Sequence, residues 1–391
     1  MRDGRLQRSD AHAFEALIVR RARELGAGDV RIAPAFPDDA SRQRMRESFA
    51  RGDLATWNYG EAYARDAPDP AHILAGARSV ICLAFPYATR GPAREHLRGR
   101  VSNYAWSEDY HRRVRAVLSA LAADIDALAG RGVTAIACDT KPLAERAFAS
   151  RAGLGWIGKH TNLISPVLGS FVFLGEIVTT LELGTDAPLR KTCGNCSRCV
   201  DACPTGALRG DYTIDATRCI ADLTQRTDGI PREMRALVGD WIWGCDICQV
   251  VCPPTVNAGL HAPVLAAAPR ERETAGPSLV ALLQLKSGEF KRRYAPTAMG
   301  WRGAAVLRRN AAVALGNSLD RSSVGALSRA LAGDPHAMVR GHAAWALGRI
   351  GSPAALAALR NSLESERAHG VREEICAALE TMQAVPSFLQ T

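Results

Sequence analysis

The chain has 391 residues, 47% hydrophobic and 23% charged. That balance excludes a collagen-like or generally disordered chain, and the length exceeds one small module. Lys+Arg 49 against Asp+Glu 40 gives +9, which permits a nucleic-acid partner without requiring one. The sequence lacks a secretory-signal pattern at its start and any apolar run long enough to span a bilayer. No membrane span is expected, and a cytoplasmic location is.

In chain order, Asp10–Leu25 has helical spacing, with Phe14, Leu17, Ile18 and Leu25 near one face. Residues 78–85 read as a short apolar strand ending at Pro86. Tyr110–Leu128 reads as a helix whose stripe is Val114, Val117, Leu118, Leu121, Ile125 and Leu128. Gly132 follows, then a strand over Val133–Cys138. Lys141–Arg151 predicts the next helix, with Pro142 in its first turn. Phe171–Leu183, rich in Val, Ile, Phe and Thr, predicts a long strand or hairpin. Strands alternating with helices predict a layered α/β domain.

The eleven cysteines are unevenly placed. Cys82, Cys138 and Cys376 are isolated in apolar patterns and read as buried small hydrophobes. The other eight lie between Cys193 and Cys252. Cys193, Cys196, Cys199 and Cys203 precede Pro204 at spacings x2, x2 and x3. Cys219 stands apart, and Cys245, Cys248 and Cys252 precede Pro253. In a chain this long, with cysteines this local, metal binding is favoured over disulfides. Zinc also accepts four cysteines, but this twice-repeated run suits two [4Fe–4S] clusters. The cysteine before each proline reaches the other cluster. The expected sets are Cys193, Cys196, Cys199 and Cys252, and Cys203, Cys219, Cys245 and Cys248.

Gly153–Gly158 matches the letters GxGxxG, but it follows a helix and lacks phosphate-loop spacing. It reads as a tight turn lining some other cofactor. Asp139 directly follows a predicted strand. It is either a proton donor or a cap for the next helix.

The last hundred residues show almost no strand signal. Arg309, Arg340 and Arg372 recur at 31 and 32 residues, within alanine-rich helical segments. This predicts paired helices stacked as a HEAT-like α-solenoid, with Asp334-Pro335-His336 as a break before a repeat helix. Before it lies a basic run, Lys286, Lys291, Arg292, Arg293, Arg302, Arg308 and Arg309, opposed by Glu289. Lys286, Lys291, Arg292, Arg293 and Arg308 are the candidate contacts to a nucleic-acid backbone. The expected domains are 1–188, a catalytic α/β domain; 189–260, a ferredoxin-like two-cluster domain; and 261–391, a basic connector with the repeats.

Several ordered motifs carry a resemblance. They are Tyr104–His111 (YAWSEDYH), Asp139–Arg146 (DTKPLAER), Ala152–Lys159 (AGLGWIGK), Thr161–Leu163, Gly169–Glu176 (GSFVFLGE) and Trp243–Asp246, together with the clusters and repeats. The chain resembles the epoxyqueuosine reductases, iron–sulfur and cobalamin enzymes of tRNA modification. The resemblance implies reduction of the epoxide of epoxyqueuosine, at the wobble position (position 34) of tRNAs with GUN anticodons, to queuosine. It implies base-off cobalamin, with cob(I)alamin generated by an external low-potential donor through both clusters. Asp139 matches the family's catalytic aspartate. Tyr104, His111, Gly155, Trp156, Gly158, Lys159 and Asn162 are the candidate cofactor-binding residues, and a monomer is expected. Two departures stand out. Ser107 replaces a glycine, and Cys219–Arg226 (CIADLTQR) replaces a segment close to C-I-S-Y-x-T-I-E. The alternatives are a cobalamin-dependent reductive dehalogenase and a non-catalytic ferredoxin-like electron-transfer protein.

Overall fold

The computed structural model describes residues 8–259 and 272–384. They form two compact units, and the chain alternates between them. The first unit takes the residues up to Arg90, Asp109–Thr217 and the stretch from Asp246. The second takes Gly91–Glu108, Arg218–Cys245 and the described residues beyond 271. The expected boundary at 260/261 lies outside the described residues, among which no helix is long and apolar enough to cross a membrane.

Eight strands occur among the described residues. They are β1 (Asp29–Pro34), β2 (Ser79–Pro86), β3 (Arg100–Val101), β4 (Thr134–Ala137), β5 (Trp156–Ile157), β6 (Leu163–Ile164), β7 (Val172–Thr179) and β8 (Trp241–Trp243). The first unit is built on a four-stranded sheet of order β1-β2-β7-β4. All its pairings are antiparallel. Helices cover both faces, so β2 is buried at every position and reads as a continuous apolar run. Ile81, Leu83 and Phe85 pack with Val114, Leu118, Leu121 and Ile125 of the Tyr110–Ala129 helix. Val80, Cys82 and Ala84 pack with Phe148 and Ala149 of the Glu145–Arg151 helix. Each fully buried aliphatic side chain contributes on the order of 1.5–3 kcal/mol. Gly175 of β7 lets the long helix lie close, since a Cβ there would stand 2.9 Å from Val114.

The Tyr110–Ala129 helix matches its sequence pattern. Asp109 caps it by accepting the His111 N–H, and Gly130 ends it at φ 68. The helix predicted over Lys141–Arg151 is shorter and spans Glu145–Arg151. Asp139 takes φ 52, and residues 140–144 are bends and irregular chain rather than helix. Ala144, not Asp139, holds the cap position. Cys82 and Cys138 are buried as expected, whereas Cys376 is exposed. Its helix buries Val371 and Ile375 instead, which puts position 376 on the outer face.

In the second unit β3 and β8 pair in parallel. Three short helices, Arg272–Ala275, Leu279–Leu283 and Ser287–Arg293, lead to the five of the repeat region: Ala304–Ser318, Val324–Gly333, Ala337–Ile350, Pro353–Ser365 and His369–Ala384. Ala337 follows directly on the predicted break. The equivalent arginines are Arg308 and Arg340, not Arg309 and Arg340. Arg308 pairs with Asp334 and Arg340 with Glu366, each partner 26 residues on and each nearest N–O distance 2.7 Å. Glycines follow the same register. A Cβ on Gly316 would stand 2.8 Å from the Ala346 Cα, and one on Gly348 2.6 Å from the Ala378 Cβ. The bare glycine backbone permits this stacking. Arg309 is fully buried and does another job. It donates to the carbonyls of Leu223, Arg226 and Asp228.

Candidate functional site

Asp139 follows β4, whose end lies beside the start of the Tyr110–Ala129 helix. The sheet is antiparallel, so the carboxyl-end rule of parallel sheets is not what places it. Two adjacent helix residues reach it instead. Tyr110 Oη donates to Asp139 Oδ2 at 2.7 Å. His111 Nε2 is 3.2 Å from the same oxygen, while His111 Nδ1 is 2.6 Å from Asp109 Oδ1. The imidazole thus bridges two carboxylates. Burial works against its charge, but Asp109 and Asp139 raise it to about 9. The His111 bond in turn holds the Asp139 carboxyl below the usual range, against the effect of burial. The proton resides on His111 at neutral pH.

Aromatic rings extend from this set. Tyr110 stacks on Phe173 at 4.1 Å and 3°, and Phe173 on Tyr87 at 4.3 Å. Tyr59 and Tyr63 lie within electrostatic reach of Asp139. Burial pushes Tyr63 up to about 12. The Asp139 side chain itself remains 59% exposed. Sequence reasoning missed Tyr59, Tyr63, Tyr87 and Phe173. It also missed Glu145 and Glu176, although each lies inside a quoted motif.

The glycine-rich turn is a hairpin of β5 and β6. A Cβ at Gly155 would meet the Ile164 carbonyl oxygen at 2.4 Å, so the glycine serves close packing, not a phosphate. Lys159 Nζ donates to the Gly194 carbonyl at 2.9 Å, which ties the hairpin to the first cysteine loop. Asn162 donates its backbone N–H to His160 Nδ1 at 3.3 Å. Burial holds His160 down at about 4, so it is neutral with its proton on Nε2. That nitrogen and Trp156 Nε1 are buried donors with no hydrogen-bond partner among the described residues. Such orphans cost about 1–3 kcal/mol each and fit a group that supplies acceptors. Trp156 packs against Cys252, with Cys193 beside them.

Cys193, Cys196, Cys199 and Cys252 all lie in the first unit. Burial raises the Cys199 thiol, and Cys193 and Cys252 raise it further. Burial likewise raises Cys252, on which Cys193 and Cys196 both act. Thiolates gathered this way need a cationic centre, and the set fits one iron–sulfur cluster. Among the described residues no three His, Cys, Asp or Glu groups close around a single-ion position. Gly169 and Ser170 hold the Cys252 segment. A Cβ at Gly169 would strike the Thr255 Cα at 2.7 Å, and Ser170 donates to Gln249 Oε1 at 3.0 Å. Cys203 belongs to the same unit. Burial would raise it, but Thr205 and the backbone N–H groups of Thr205, Ala207 and Leu208 bring it below the usual thiol value.

Other expected residues fall in the second unit. Tyr104 Oη accepts the Trp243 indole N–H at 2.8 Å. The unusual 221–226 segment is internally matched. Arg226 donates to Asp222 Oδ2 at 2.8 and 3.1 Å, and both residues are buried. Where the pattern of the resemblance has a Tyr and a Glu four residues apart, this segment thus holds one ion pair. Lys286, Lys291 and Arg292 are exposed, and Arg293 is half-buried and pairs with Glu289 at 2.7 Å. Arg308 is withdrawn from the expected phosphate contacts. It is buried, bonded to Asp334 and to the Leu285 carbonyl.

A sheet with an Asp–His–Asp set at its end, cubane-spaced thiolates and stacked helical repeats define an iron–sulfur oxidoreductase with a HEAT-type region. Three family models match in agreement with this. They are epoxyqueuosine reductase QueG, DUF1730 over 68–140, the 4Fe-4S double cluster binding domain over 192–255, and HEAT repeats over 302–380. The epoxyqueuosine reductase of Bacillus cereus is 34% identical, over 94% of this chain and 98% of its own length. A crystal structure of an epoxyqueuosine reductase with an epoxyqueuosine-modified tRNA-Tyr stem loop superimposes with TM-score 0.89 at 31% identity. It covers 96% of this chain and 100% of that one. The Bacillus subtilis enzyme, with its catalytic loop swung out of the active site, gives TM-score 0.88 at 30% identity over 95% and 99%. The chain belongs to the epoxyqueuosine reductase family.

Proposed function

We propose that this chain reduces the epoxide of epoxyqueuosine at position 34 of tRNA to the alkene of queuosine, in the cytoplasm and as a monomer. Family membership supports the reaction. The observation that carries the residue roles is the bond between His111 and Asp139. Base-off cobalamin, when bound, supplies the two-electron nucleophile for an epoxide carbon, with electrons arriving singly from an external low-potential donor through two [4Fe–4S] clusters. The unpartnered donors Trp156 Nε1 and His160 Nε2 favour an acceptor-rich cofactor beside the hairpin. Gly155 and Gly158 let the hairpin pack closely on Ile164, and Asn162 and Lys159 flank the cofactor. Tyr104 keeps a cofactor role on the resemblance alone. The first cluster takes Cys193, Cys196, Cys199 and Cys252. The ligands Cys203, Cys219, Cys245 and Cys248 for the second are proposed from their spacing.

Opening the epoxide builds charge on its oxygen. The proton held on His111 Nε2 moves to the Asp139 carboxylate, which relays it to that oxygen. Asp109 steadies the imidazolium that holds the proton, and Tyr110 orients the Asp139 carboxyl. Lys286, Lys291 and Arg292 neutralise tRNA phosphates. Anaerobic reconstitution with iron and cobalamin, then nucleoside analysis of epoxyqueuosine-containing tRNA, tests the reading. Queuosine should appear as the epoxide disappears. Unchanged epoxide with a fully loaded, reduced enzyme overturns it.

A further inference from the structure

Behind Asp139 lies a carboxyl pair to which the reaction gives no task. Glu176 sits mid-sheet on β7, in register with Cys82 of β2 and Ala137 of β4. Its side chain is 0% exposed, and its carboxyl is met by the Glu145 carboxyl through a side-chain hydrogen bond. An isolated anion there is costly. After burial, the largest influence on Glu176 is Glu145, the first residue of its helix. Glu145 Oε1 accepts the backbone N–H of Asp139, the residue held at φ 52. A non-glycine residue keeps that conformation when its surroundings fix it.

The groups facing the pair come from each neighbouring element. Cys82 faces it from β2, and Cys138 and Asp139 from the end of β4. Tyr63 faces Glu145 from the Glu61–Asp66 helix. Arg146 is the cation, and it acts on Glu145. Two carboxyls so close and so dry do not both ionise. Glu145 has the Asp139 N–H and the Arg146 cation beside it, and the hydrogen bond between the two carboxyls lowers Glu145 and raises Glu176. The anion therefore belongs on Glu145 and the proton on Glu176.

We propose that Glu145 and Glu176 share one proton and together position Asp139, with ionised Glu145 fastening the Asp139 N–H and protonated Glu176 making that anion tolerable. They are positioning residues, and the inference rests on Asp139 being the proton donor. Taking up a second proton on Glu145 weakens the fastening, so turnover falls as pH drops through the Glu145 titration. Burial lifts that titration to about 7.

The test uses the reconstituted holoenzyme and its modified tRNA in single turnover from pH 5.5 to 9, with iron content and tRNA affinity measured alongside. E145A should slow the rate by up to about a hundredfold, the scale of a misplaced catalytic group, with iron and tRNA affinity kept. E145Q should lose less, because its amide oxygen still accepts the Asp139 N–H, and should lose the acid limb near neutrality. A wild-type rate in E145A, or an intact acid limb in E145Q, overturns the inference. Should E145A not fold, the E145Q profile decides. D139N separates the two readings. A rapid D139N sinks the donor assignment itself, whereas an inactive D139N beside a wild-type-like E145A sinks only the positioning pair.

Discussion

His111 Nε2 lies 3.2 Å from Asp139 Oδ2. That bond decides where the proton waits. It holds Asp139 low and, with Asp109, lifts His111 to about 9. A lone aspartate would need a raised value to serve as an acid at neutral pH. Here the histidine keeps the proton and the aspartate delivers it.

The pH dependence follows. His111 is raised above its ordinary 6.5, so its ion pairs are fully present below about 6.5 and are lost as pH rises through about 9. Turnover should fall along an alkaline limb near 9. H111Q should remove that limb and slow turnover by roughly 10²–10⁴, and D139N should do at least as much while retaining iron and cobalamin. Single-turnover rates against pH read both outcomes. A limb that persists in H111Q belongs to another group.

The basic residues divide by burial. Lys291 and Arg292 are exposed, whereas Arg308 is bonded to Asp334 with 10% and 6% of their side chains exposed. K291E with R292E should weaken tRNA binding and flatten its salt dependence, leaving the melting temperature unchanged. R308A should instead destabilise the repeats by about 3–5 kcal/mol, the cost of stranding a buried charge. Binding titrations across a salt series, run beside thermal melts, separate the two effects.

What the sequence made legible was local. Tyr110–Ala129 carries its own stripe, its aspartate cap and its terminal glycine, and the cysteine spacings carry their own chemistry. The site is not local. Glu176, Glu145, Tyr63 and Asp139 come from different elements, and no periodicity links them. The helix at Glu145 starts four residues later than its pattern, and the φ 52 of Asp139 has no sequence signal either. Arg308 was misread beside Arg309 because its partner Asp334 lies 26 residues on. Side-chain pairing, not letter spacing, sets the repeat register.

The carboxyl pair also predicts a stability effect. Glu145 is raised from 4.5 to about 7. A carboxyl raised on folding contributes stability that is full below about 4.5 and lost as pH climbs through about 7. E145Q should therefore melt higher than the wild type at pH 8.5 and show little gain at pH 4.5. Melting curves at the two values check the sign, and a gain larger at pH 4.5 contradicts it.

Asp222 and Arg226 stand where the pattern of the resemblance has a Tyr and a Glu, and the two side chains are in direct contact. The pair is buried, with nitrogen–oxygen distances of 2.8 and 3.1 Å. Changing either residue alone breaks the buried pair, a loss of up to about 3–5 kcal/mol that Asp228, 3.6 Å from Arg226, softens on the arginine side. D222Y places a neutral ring beside Arg226, and R226E places two carboxylates together. Each should lower the melting temperature. The double variant restores a phenol–carboxylate pairing and should recover most of that loss, a coupling typical of residues in direct contact. Thermal melts of the four proteins complete the cycle. Simple additivity of the two single losses would mean that the residues changed independently.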